Sequence, residues 1–271
     1  PGPADGYRAA DLIKQAGEHI DCVAMHMMGQ TPLRPDTVLK DRRYQQAPEQ
    51  ALEELLEISN RSEARLRGFE EVVSSASPKL GIAITEGHLS LRPHNANLIL
   101  YEWLTGVFHA RAMNMYQRHG ARVEIATAAD FCGTRWTVNA VMMPVPGGNS
   151  YLMPVGSVMR LFKRHNGKQG VSVKAAPPDL DIAASRSGDR FYLHVANVSH
   201  SRASEVRFGV KEMTITGGRV FEIAPESPRA SVSETEPDIF APVEKPLPAG
   251  PAPTWHFPAA SVSAVELEVK A

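Results

Sequence analysis

One short apolar run, Leu80-Gly-Ile-Ala-Ile-Thr-Glu86, lies between two long amphipathic stretches, Pro48 to Ala76 and Asn97 to Arg118. The run is too short for a buried helix and sets Ile82 and Ile84 at alternate positions, so it predicts a buried parallel strand that ends on a carboxylate. In the first stretch, Ala51, Leu52, Leu55, Leu56, Ile58, Leu66 and Phe69 form an apolar stripe, with Pro48 fitting the first turn of a helix. In the second, Leu98, Leu100, Tyr101, Leu104, Val107, Phe108, Ala112 and Met115 do the same, and Gly120 stops the helix. A strand held between two such helices points to a parallel sheet with helices packed on it.

The pattern recurs on either side. Tyr7 to Glu18 reads as a helix, His19 to His26 as a strand, Ala121 to Ala126 as a third strand, and Val155 to His165 as a shorter helix. Gly29, Pro32 and Pro35 make a long loop after the first strand, and Pro144 to Asn149 lies in another after the third. Three strands cannot close a barrel of eight, so a barrel would require strands from sequence preceding Pro1. Beyond Gly170 the texture changes. Val171 to Ala175, Leu180 to Ser185, Arg190 to Val198, Ala203 to Phe208, Glu212 to Thr216, Gly218 to Ile223 and Ser261 to Val269 alternate apolar with polar residues. That pattern predicts an antiparallel β-sandwich with one buried face. Pro225 to Pro253 reads as a long, partly disordered surface excursion. The expected division is therefore 1–168 and 169–271.

With 29 Lys and Arg against 30 Asp and Glu in 271 residues, the chain has no global field to recruit nucleic acid or an anionic membrane. No apolar run reaches the roughly 18 residues of a membrane span, and the opening residues do not read as a secretory leader. The composition is that of a soluble globular protein, cytoplasmic or secreted. Cys22 and Cys132 stand beside predicted strand ends and read as free, buried thiols. The ten histidines form no HxH or HExxH group, so no zinc site is expected.

In order and spacing these segments resemble the C-terminal half of the glycoside hydrolase family 51 α-L-arabinofuranosidases, from about His19 to Val173. His19-Ile-Asp-Cys-Val-Ala-Met-His26 is similar to that family's sixth barrel strand, Leu80 to Glu86 to its seventh, and Arg122 to Ala126 to its eighth. Met153 to His165 resembles its last barrel helix. The resemblance implies an α/β plus all-β fold: strands six to eight of a (β/α)8 TIM barrel, followed by the sandwich. Three positions depart from the family pattern. Its Asp-Glu-Trp is Thr85-Glu86-Gly87 here, a tyrosine two residues after the strand-six histidine is Met28, and a glutamine after strand eight is Asp130.

What the resemblance implies chemically is a retaining glycosidase of plant polysaccharide side chains. Such enzymes hold two carboxyl groups about 5–5.5 Å apart, one attacking the anomeric carbon and one protonating the leaving oxygen. Glu86 matches the nucleophile, which needs hydrogen-bond donors to offset burial; with Met28 in place of the tyrosine, His88 or His26 could supply one. The acid/base Glu ends the family's fourth strand, so it would come from the N-terminal part of the barrel. His26, His88, Asp130 and Trp136 are the expected substrate-binding residues, Trp136 as an exposed stacking platform; His94 shares the loop after Glu86. The plain alternatives are that Glu86 caps a helix or pairs with a base, and that His26 is a core histidine. A β-xylosidase, a β-glucuronidase, or a non-catalytic carbohydrate-binding protein on the same scaffold fits the same residues. Besides a carbohydrate, the resemblance implies a homo-oligomer and no metal or organic cofactor.

Overall fold

The computed structural model describes residues 3–94, 96–248 and 250–270. The first part of the chain alternates helices with short strands: α1 (Pro3–Ala16), β1 (Cys22–His26), β2 (Gly29–Gln30), α2 (Pro48–Ala76), β3 (Gly81–Glu86), β4 (Leu89–Ser90), α3 (Trp103–Arg118) and β5 (Val123–Ala126). Three strands, β6 (Asp130–Gly133), β7 (Asn139–Met142) and β8 (Tyr151–Leu152), then precede α4 (Pro154–Arg164). The rest is β9 (Gln169–Val171), β10 (Leu180–Ser187), β11 (Arg190–Asn197), β12 (Ser204–Arg207), β13 (Thr214–Ile223), β14 (Val243–Pro246), β15 (Thr254–Phe257) and β16 (Val262–Lys270).

β3 lies between β1 and β5, parallel to both. On one face Val23, Met25, Ile82, Ile84 and Val123 pack against Ala9 and Ile13 of α1, Leu66, Phe69 and Val73 of α2, and Ala112 and Met115 of α3. Each Val, Leu, Ile, Phe or Met among them contributes about 1.5–3 kcal/mol on full burial, which is why the short apolar runs form strands here. The opposite face bears Ala24, Thr85, Glu124 and Ala126, all exposed. A parallel sheet is ordinarily covered on both faces, and this one is covered on one. Past the sheet, β2 and β4 pair in parallel for two residues each, so the loops predicted after β1 and β3 begin with a second, brief pairing.

The cysteines stand free but are not buried as expected. Cys22 lies on the open face, half-buried, with its thiol donating to Glu124 Oε2 at 3.4 Å; Cys132 is exposed on β6. The small β6–β7–β8 sheet fills what reads as loop in the sequence, because its strands are too short to show an alternation.

The helix expected from Asn97 breaks in two. Asn97 caps a 3-10 turn, Leu98–Tyr101, and the backbone is extended at Glu102 before α3 begins. The amides of Trp103 and Leu104 donate to the carbonyls of Ala230 and Pro228, both at 2.9 Å. The Pro-rich stretch thus satisfies the free N–H groups at the start of α3. Arg229 donates to both oxygens of buried Glu102, at 3.1 and 3.0 Å. Trp103 is fully buried, its indole N–H on Ala260 O at 2.7 Å and its ring 4.8 Å from that of Phe240. The expected surface excursion is therefore substantially packed: Val232, Phe240 and Leu247 are buried, and it supplies β14. Prolines lack a donor but keep a carbonyl, and it is such carbonyls that the helix start requires.

The C-terminal part is a six-stranded antiparallel sheet, β14-β13-β16-β11-β10-β9, with the two-stranded ribbon β12–β15 packed on one face. Val195, Val220, Val265 and Leu267 meet Phe208 and Phe257 there. The two strands expected at Glu212 to Thr216 and Gly218 to Ile223 are one, β13, with a bulge between Ile215 and Gly217. The other face, expected to be solvated, lies against α3 and α4. Ala196, Ile223, Val262 and Ala264 join one hydrophobic cluster with Trp103, Leu104, Val158 and Leu161, so both parts share a core. Among the described residues no helix is long and apolar enough to cross a membrane.

Candidate functional site

The C-terminal end of the three-stranded sheet is where its polar side chains converge. The register pairs His26 with Glu86 after an irregularity that leaves Thr85 of β3 without a partner in β1, and the backbone bonds Met27 N to Glu86 O (2.6 Å) and Gly29 N to His88 O (2.8 Å) hold the two strand ends together. Glu86 is thereby presented at the rim with its side chain 37% exposed. His26 Nδ1 lies 3.0 Å from Glu86 Oε2, and His88 Nε2 lies 3.1 Å from Glu86 Oε1. A carboxylate only accepts hydrogen bonds, so His88 donates to Oε1, while His26 stands at ion-pair distance from Oε2.

The two histidines differ in setting. His26 is half exposed, and Arg65 of α2 donates to its backbone carbonyl at 2.7 Å. Arg65 was not legible as part of the site, since in sequence it is one more charge on the polar face of a long helix. His88 is 6% exposed, set beneath Glu86 rather than on the open rim. His94 lies apart, at the surface, with Nδ1 3.2 Å from Ser90 Oγ.

Gly87 explains the absence of an aromatic residue beside Glu86. A Cβ at this position would collide with the carbonyl oxygen of Thr127 and press on the Tyr116 hydroxyl. The close approach is fixed by Gly87 N donating to Thr127 Oγ1 (3.1 Å) and Thr127 N donating to Ile84 O (2.9 Å).

Asp130 and Trp136 come together away from Glu86. They line a cleft of about 340 Å3 with Cys132, Arg135 and Asn139, and the indole is 54% exposed. Among the described residues no hydrogen bond or ion pair joins this cleft to Glu86. A second cleft, about 580 Å3, borders His26 and is lined by Met28, Gln30, Leu33, Arg34 and Arg61. Met28 thus stands at the lip of the site, where it offers Glu86 no hydrogen bond. No group of three or more His, Cys, Asp or Glu among the described residues could hold a metal ion.

No family model and no curated protein matches the chain. Solved structures do. The GH51 arabinofuranosidase from Xanthomonas axonopodis pv. citri superposes with a TM-score of 0.76 at 14% identity, over 97% of this chain and 56% of that one. The α-L-arabinofuranosidase of Thermotoga maritima, in an arabinose complex, gives a TM-score of 0.74 at 19% identity, with the same coverage of both chains. A glycoside hydrolase family 44 endoglucanase from Clostridium acetobutylium gives 0.67 at 13% identity, over 97% of this chain and 50% of that one. The likeness includes the antiparallel part and extends beyond the His19 to Val173 segment legible in sequence. The chain spans about half the length of the solved structures it matches, and it has the fold of the C-terminal half of the family 51 arabinofuranosidases.

Proposed function

We propose that this chain is the C-terminal portion of a retaining glycoside hydrolase, with β1, β3 and β5 as strands six to eight of a (β/α)8 barrel and Glu86 as its nucleophile. The observation that carries the reading is a partly exposed carboxylate at the C-terminal end of a parallel strand, with a histidine nitrogen within 3.1 Å of each oxygen. Reacting groups sit at that end of barrel strands. The uncovered face of the sheet is where the rest of the barrel would pack, bringing the acid/base Glu to the opposite side of the scissile bond. Glu86 then attacks the anomeric carbon, the leaving oxygen takes the proton of the acid, and water later releases the sugar from Glu86. His26 and His88 orient the carboxylate, and His26, being half exposed, also contacts the sugar. Asp130 and Trp136 form a separate wall for the remainder of the substrate.

The substrate class we favour is an α-L-arabinofuranoside of plant polysaccharide. A β-xyloside or β-glucuronide is the second reading, supported by the steric exclusion of any aromatic wall at Gly87. The test is mass spectrometry of the chain, together with its complementing barrel segment, after reaction with a 2-fluoro-arabinofuranosyl inactivator. A sugar-sized increment on the peptide carrying Glu86 is expected, and Glu86→Ala should lower turnover on the order of 10^3-fold or more. Label on another residue, or undiminished hydrolysis by that variant, removes Glu86 from the mechanism. No label and no turnover on any aryl glycoside would favour a carbohydrate-binding scaffold instead.

A further inference from the structure

With Nε2 donating to Glu86, an uncharged His88 ring presents a lone pair at Nδ1. That nitrogen is buried, and no protein group donates to it. An unsatisfied buried acceptor is destabilising, so a native fold ordinarily supplies a donor. His88 lines a small void between the end of β3 and the helices, shared with Ser59 and Ser62 of α2 and His109 and Tyr116 of α3. The volume open to the centre of a water molecule there is about 10 Å3, close to what one water needs. Three hydroxyl-bearing residues and two imidazoles stand in its lining beside the apolar Met27, Phe108 and Met115. His109 is 4% exposed, and burial above all pushes its pKa down to about 3. It is therefore a neutral ring with one N–H and one lone pair to offer.

We propose that this void binds a single water molecule that donates to His88 Nδ1 and is held on its other side by His109. His109 is then a positioning residue: it touches no reacting atom, but through the water it locks His88 in the tautomer that donates to Glu86. The consequence for catalysis rests on reading Glu86 as the nucleophile; the water site itself does not.

Long-range proton–nitrogen correlation spectra of the full chain, with its histidines nitrogen-labelled, test the proposal. At neutral pH His88 should be a single tautomer, protonated at Nε2, with the Nδ1 resonance displaced from that of a free imine nitrogen. A cross-peak from water to the His109 ring should be present. In His109→Phe, which keeps ring volume and removes both nitrogens, His88 Nδ1 should move to the free-imine position while the β3 amide signals stay in place. A wild-type His88 protonated at Nδ1, or a His109 ring without contact to water, would overturn the proposal even if the variant failed to fold. An Nδ1 resonance unmoved in a folded variant would do the same. Failure of sugar labelling at Glu86 would instead sink the hydrolase reading and leave these spectra unchanged, so the two failures are separable.

Discussion

Glu86 is placed by a small number of neighbours, and Gly87 is the least replaceable of them. Its missing Cβ lets β3 approach Thr127, and the space is filled by backbone that cannot swing aside. Gly87→Ala should therefore cost about 1–3 kcal/mol, the usual range for overpacking, read as a lowered urea midpoint with an unchanged slope. A midpoint equal to that of the wild type would mean that Thr127 yields, and the steric account of the lost aromatic wall would fail with it. Position 87 was legible in sequence only as a glycine where the resembled family has tryptophan. That it is a close contact depends on Thr127, 40 residues further along. Glu86 itself was readable as the end of a strand. His88 was readable as a possible donor to Glu86 but not as a buried residue, because its burial is created by α3.

Among the elements, the Pro-rich stretch is the one whose role the sequence most understates. It supplies the carbonyls that complete the start of α3 and the guanidinium that neutralises Glu102. Arg229 is about one-third exposed, while Glu102 is almost fully buried, so Arg229→Ala leaves a buried carboxylate without its cation. A loss of about 2 kcal/mol is expected, less than for a fully buried pair because solvent screens the arginine. Limited proteolysis should find residues 225–240 resistant in the native chain and cleaved in the variant. Equal resistance in both would mean that the capping bonds alone hold the stretch. The loop after β2 is fixed by similar means: Glu54 of α2, fully buried, accepts from Thr37, the amide of Val38, Arg34 and Gln50. Burial alone would raise its pKa, but those bonds outweigh it and hold the carboxyl below its usual range.

For the whole molecule, the shared core sets the response to acid. His194 on β11 is stacked on Phe162 of α4 at 3.9 Å, its nitrogens 2.9 Å from Gln117 Oε1 and 2.8 Å from His165 O, and burial holds its pKa at about 4. His109 is held at about 3. Both folded values lie below the ordinary 6.5, so the unfolded chain takes up protons first. Stability is full above about pH 6.5 and falls as pH drops toward 4, by on the order of 1 kcal/mol per pH unit for each histidine. Below about 4.5 the carboxyls of Glu54, Glu63 and Glu266, all held low, add to the loss. Urea unfolding between pH 7 and 4.5 should show this slope, and His194→Gln should reduce it by one histidine's share. A slope unchanged in that variant would show that His194 does not titrate on unfolding in this range.

By itself the sequence determined the alternation of helices and short strands, the parallel pairing of the first part, the antiparallel strands of the second, and the strand end that bears Glu86. These follow from local periodicity, which a chain carries wherever it is placed. Only the tertiary structure decided which polar residues are buried. Asp181, His194 and Glu266 alternate with apolar neighbours as solvent-facing residues do, yet they lie against α3 and α4, paired with Arg118, Gln117 and His165. The same holds for His88 and Glu102. A polar residue tolerates burial when a partner meets it, and that partner comes from a distant part of the chain that no local pattern identifies.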